Sequence, residues 1–177
     1  MLRPSMFRIA VTNRQTGLAL DRRRLRRAVE MILRDAGIEQ ADISLAVVDD
    51  AAIHRLNRQF LGHDWPTDVL SFVLDRADWW LAGEVVVSAD AAWAAAAEYG
   101  WPPEDELLLY VVHGALHLVG YEDATRAGRA RMRQRERACL ARFGLVARFV
   151  RPHRKSRWRA SAGNALPRRR RGKQDKL

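Results

Sequence analysis

Two histidines four residues apart, His113 and His117, stand in an apolar stretch that reads as a helix. At that spacing both imidazoles project from one face, one turn apart. Gly120 follows and can end the helix, because glycine enters the left-handed region at no steric cost. The chain can then fold back and bring Asp123 toward both rings. Two imidazole nitrogens and one carboxylate form a three-ligand set for zinc, with a fourth position open to water. The chemistry indicated is a catalytic-type metal site holding one Zn2+ per chain. Glu122 competes as a ligand one residue earlier. The blander alternative is an apolar helix, Leu107 to Leu118, whose histidines are only hydrogen-bonded near the core.

The spacing also matches the metzincin protease pattern His-Glu-x-x-His-x-x-Gly-x-x-His, with two departures. Gly114 stands where those proteases carry the glutamate base, which argues against peptide hydrolysis by their route. Asp123 replaces the third histidine, a milder change, since carboxylate oxygen also binds zinc. No general base is evident near the pair, and that role stays unassigned.

A second segment, Leu56-Asn57 followed by Pro66-Thr67-Asp68-Val69-Leu70-Ser71-Phe72, resembles the signature of the YbeY family. Those proteins are bacterial metal-dependent endoribonucleases acting in ribosomal RNA maturation. The resemblance continues through a strand, Gly83 to Ser88, into His113-Gly-x-Leu-His117-Leu-x-Gly120-Tyr121, and spans about Met6 to Gly144. It implies an α+β domain with about four strands and five helices, and single-strand-preferring RNA cleavage. It also implies ribosomal RNA and ribosomal subunits as partners. Thr67, Asp68 and Ser71 would border the substrate groove. Arg126 and Arg129 of the last helix would hold RNA backbone, unless that arginine-rich helix is merely a solvated face. The family's Tyr-Arg is Phe60-Leu61 here, so one basic residue is missing. Its closing Asp-His is Glu122-Asp123, and the anionic ligand makes a bound metal a weaker Lewis acid. Two rivals remain: a metzincin-like metalloprotease with another base, and a non-catalytic ribosome assembly factor with a structural metal.

The elements that must position these residues follow from periodicity and caps. Phe7, Ile9 and Val11 alternate as a strand, and Asp21 can cap a helix bearing Leu25, Ala28, Val29 and Ile32. Ile43, Leu45 and Val47 form a second strand. The Asp49-Asp50 pair caps a short helix with Ile53, Leu56 and Phe60 inward. Strands over Val69 to Leu74 and Leu81 to Val87 precede an alanine-rich helix that stops near Gly100. Pro102 and three acids open the histidine helix, and a last helix runs from about Thr125 to Phe143. The result is an α+β domain in which a small mixed sheet is covered by helices.

The 177 residues carry a net charge of +10, unevenly placed. Twelve basic residues and one acid lie from Arg148 onward, so the preceding body is near neutral. We therefore expect a folded domain over 1–150 and a basic, disordered tail over 151–177 that contacts polyanions without reading sequence. No apolar run approaches a membrane span, no secretory leader is seen, and a lone Cys139 fits a reducing cytoplasm. Cys139 reads as a small buried hydrophobe. By pattern alone His54 is a surface or satisfied residue, His63 a loop residue that is exposed by default but could face the cleft, and Asn57 an indifferent surface position.

Overall fold

The computed structural model describes residues 6–146. The expected tail, 151–177, lies outside the described residues. Strand β1 (Met6–Asn13) leads through helix α1 (Arg22–Asp35) to β2 (Gln40–Val48). Helix α2 (Asp50–Leu61) then feeds the hairpin β3 (Val69–Arg76) and β4 (Trp80–Ser88), followed by α3 (Ala89–Tyr99), α4 (Pro103–Leu118) and α5 (Arg126–Ala141). The sheet order is β1-β2-β4-β3, with β3 antiparallel and the other pairings parallel. The expected four strands and five helices are present, as one α+β unit.

Local chemistry sets the boundaries. Asp21 accepts from the Arg24 N–H at 2.9 Å, Asp49 from Ala52 at 2.7 Å, and Thr125 from Gly128 at 2.9 Å. Each satisfies a donor that the first helical turn leaves unpaired. Gly120, at φ 99°, ends α4 as the sequence suggests.

The two sheet faces are unequal. On one, Ile43, Leu45, Val47, Leu81, Val85 and Val87 pack against α1 and α4 in the main core. On the other, α2 covers a small cluster of Val48, Ile53, Leu70 and Val86. Helix α4 is apolar nearly all round and buried along most of its length, as a central helix must be. Two expectations need correction on α2. Phe60 is 57 % exposed instead of inward, with its ring tilted against Phe72 of the edge strand β3 at 5.5 Å. Asn57, read as a surface position, is 2 % exposed, since it shares the inward stripe with Ile53 four residues earlier.

Candidate metal centre

Helix α4 holds His113 and His117 one above the other with their Nε2 atoms 3.0 Å apart. The rings stand nearly perpendicular, at 82°. Beyond Gly120 the chain reverses and delivers Asp123, its Oδ2 4.0 Å from His113 Nε2 and its Oδ1 3.9 Å from His117 Nε2. The three ligand atoms lie within 4.8 Å of one another. Zinc bonds of about 2.0 Å at tetrahedral angles separate neighbouring donors by about 3.3 Å, so the set suits one small cation. A second observation agrees. Asp123 Oδ1 is buried with no hydrogen-bond partner among the described residues, a costly arrangement unless a cation takes it up. Glu122, the competing ligand, is exposed and outside the group.

A residue that sequence reasoning missed orients the first ring. Glu136 of α5, 3 % exposed, bonds through Oε1 to His113 Nδ1 at 2.7 Å. With the proton on Nδ1 donated to that carboxylate, the Nε2 lone pair faces His117 and Asp123, the arrangement found behind metal-bound histidines. Burial works against an imidazolium at His113. The Glu136 bond and charge, with Asp68 and Asp123 adding to them, nonetheless hold its pKa above the usual value. Burial and the neighbouring His113 charge push His117 down to about 3. His117 is therefore a neutral donor near pH 7, as a metal ligand must be.

The pocket beside the histidines is walled by Thr67, Asp68 and Ser71 at the start of β3. Asp68 Oδ1 accepts from the Val69 N–H at 3.0 Å and from Thr67 Oγ1 at 3.1 Å. Ser71 Oγ donates to the Gly114 carbonyl at 3.1 Å. This contact also explains Gly114. A Cβ there would lie 2.7 Å from Val85 Cγ1, 2.9 Å from Ser71 Oγ and 3.0 Å from Val69 Cγ2. The position facing the sheet therefore has no room for the glutamate that a metzincin needs.

Arg129 donates from Nη1 to the carbonyls of Asp123 (3.0 Å) and Ala124 (2.9 Å), bracing the ligand loop, and Arg126 is exposed at the start of α5. Leu61, at the position of the missing basic residue, lines the pocket as an apolar wall. His63, read as exposed by default but able to face the cleft, is partly buried and lines the same pocket. It stacks on Trp65 with centroids 4.7 Å apart and planes within 12°. His54 instead pairs with Asp64 at 3.0 Å. Farther along the face of α4 that carries the ligands, Glu106 is 1 % exposed. Burial pushes its pKa up to about 7, Tyr110 and Trp101 beside it pull back, and Asp68 adds to the rise.

The chain as a whole is similar to known proteins. The family model described as "Endoribonuclease YbeY" matches residues 10–144. Proteins of that name from Desulfitobacterium hafniense, Pelotomaculum thermopropionicum and Geobacter sulfurreducens are 43 %, 41 % and 38 % identical to the chain. The matched regions cover 61 %, 78 % and 79 % of this chain and 75 %, 93 % and 100 % of those relatives. A solution structure of a Thermotoga maritima protein superposes with a TM-score of 0.54 at 27 % identity, covering 77 % of this chain and 92 % of that one. On the strength of that match along most of its length, the chain belongs to the YbeY family.

Proposed function

We propose that the chain is a metal-dependent endoribonuclease that cleaves single-stranded segments of ribosomal RNA during ribosome maturation. The observation that carries this reading is the pair of Nε2 atoms 3.0 Å apart, with the Asp123 carboxylate closing on both. His113, His117 and Asp123 would hold one divalent ion, Zn2+ by the chemistry of the donor set. A bound ion of this kind supplies Lewis acidity and activates water for attack at phosphorus.

The rest belongs to the chain's own residues. Glu136 keeps His113 in the tautomer that presents Nε2 to the site. Arg129 fixes the loop that carries Asp123, and its guanidinium has further N–H donors for a phosphate. Arg126 stands beside it for the same task. Thr67, Asp68 and Ser71 offer hydroxyl and carboxylate groups on the opposite wall, suited to ribose hydroxyls more than to phosphate. Ribosomal RNA and ribosomal subunits are the partners in this reading, and the cytoplasm its setting. Among the described residues no helix is long and apolar enough to cross a membrane.

The usual metzincin base has no space at Gly114, and a protease with another base is disfavoured by the match to an endoribonuclease family. A purely structural metal would call for four protein ligands, whereas three gather among the described residues. The test is cleavage of ribosomal RNA fragments by protein stripped with a chelator and then reloaded with single ions. Cleavage should vanish on stripping and return with one equivalent of the working ion. Undiminished cleavage by metal-free protein would overturn the proposal.

A further inference from the structure

We infer that the His63–Trp65 stack is a subsite for one unpaired nucleobase of the RNA strand, placed beside the bond to be cleaved. The inference rests on the endoribonuclease reading above and adds to it the part of the substrate that this wall grips. Three observations lead here. Both rings line the pocket that contains His113 and His117. They stack nearly parallel, planes within 12°, and Trp65 is 44 % exposed, so much of the indole remains open to solvent. Leu61 adds an apolar wall beside them, which suits the flat faces of a base.

The rings are not needed to shape their own loop. Gly62 ends α2 in the left-handed region at φ 69°. Buried Asn57 then donates from Nδ2 to the Trp65 carbonyl at 2.7 Å, which fixes the backbone whatever ring is attached. An exposed tryptophan on a pinned loop beside a metal pocket is thus free to meet a ligand. A base stacks on such a ring irrespective of its identity, because every base has a π-face. Bases within a duplex have both faces covered by neighbours, so the subsite admits unpaired strands and turns paired ones away. Single-strand preference then has a physical seat in this chain.

Stacking of this kind is worth about tenfold or more in affinity per base. The experiment compares wild type, Trp65→Ala and Trp65→Phe on a short single-stranded RNA and on a set in which one base at a time is removed to leave an abasic ribose. In wild type, removal at one fixed offset from the cleaved bond should raise KM about tenfold with kcat nearly unchanged. Trp65→Ala should raise KM by a similar factor on the intact strand, lose the penalty for that abasic position, and narrow the gap between single and double strands. Trp65→Phe should restore most of the effect. A KM for Trp65→Ala within twofold of wild type overturns the subsite while leaving the endoribonuclease reading intact. So does a full abasic penalty persisting in that variant, or lost ribosomal-subunit binding with unchanged KM on free RNA, which would mark a protein contact. No cleavage of any RNA by the metal-loaded wild type would remove both.

Discussion

Helix α4 buries polar groups at two places on one face, and treats them in opposite ways. Residues 106, 110, 113 and 117 recur at spacings of four, three and four, so they form a single stripe. In its C-terminal half, His113 bonds Glu136, and both imidazoles face the Asp123 carboxylate. In its N-terminal half, Glu106 lies among Tyr110, Trp101 and the like-charged Asp68, and burial raises its pKa to about 7. One half manages buried charge by convergence of complementary donors, the other by a raised pKa that favours the neutral carboxyl. Only the first arrangement brings three donors together that could hold a cation.

Removing a ligand should separate the halves most sharply. His117→Ala takes away one of the three donors, so stoichiometric metal should be lost and RNA cleavage should drop about a thousandfold or more. The fold should persist, since His117 sits at the edge of the core facing the pocket. Elemental analysis beside circular dichroism reads this directly; unchanged metal content would dissolve the contrast.

Glu136→Gln probes the support behind the ligand. The amide keeps the shape and still accepts from Nδ1–H, but the negative charge is gone. Metal affinity should fall about 10- to 100-fold, the usual consequence of altering a residue that orients a metal-bound histidine. Competition with a chromogenic chelator measures it, and an affinity within twofold of wild type would reduce Glu136 to a packing residue. Gly114→Ala tests the close approach of α4 to the sheet. The added methyl would meet Val85, Ser71 and Val69 at 2.7–3.0 Å. Overpacking of this kind costs about 1–3 kcal/mol, to be read from denaturant melts; an unaltered midpoint would show that the helix can yield there.

What the sequence revealed and what it concealed divide along physical lines. The strands, the caps at Asp21 and Asp49, and the turn at Gly120 depend on neighbours in the chain, and local patterns expose them. The trio His113, His117 and Asp123 spans eleven residues and is equally local. Glu136 lies 23 residues from His113, within a helix dominated by arginine, and its partner is fixed only by the docking of α5 on α4. A signal was present nonetheless: Gly128, Met132, Glu136 and Leu140 recur every four residues and are all buried, so the acid falls on the inward stripe. Asn57 carries the same mark, one turn after Ile53. Phe60 shows the reverse failure, since its periodicity is right but the residue packs against Phe72 of the edge strand and stays largely exposed. A helix face can be read from spacing; the extent of the surface it meets cannot.

The smallest expected effect on the metal site concerns the other half of the stripe. A carboxyl whose folded pKa lies above its unfolded value keeps its proton longer in the native state. The native form then binds more protons between about pH 4.5 and 7, and stability falls as pH rises through that window. Glu106→Gln removes the titration while preserving size. Against wild type, the variant should change little at pH 4 and gain up to about 3 kcal/mol at pH 8, where the wild-type carboxyl must ionise in place. Urea melts at the two pH values give the difference, and metal affinity should not move, because Glu106 is not among the three ligands. A variant whose stability tracks wild type at both pH values would mean that Glu106 is ionised and paired in solution. The two halves of α4 would then obey one rule after all.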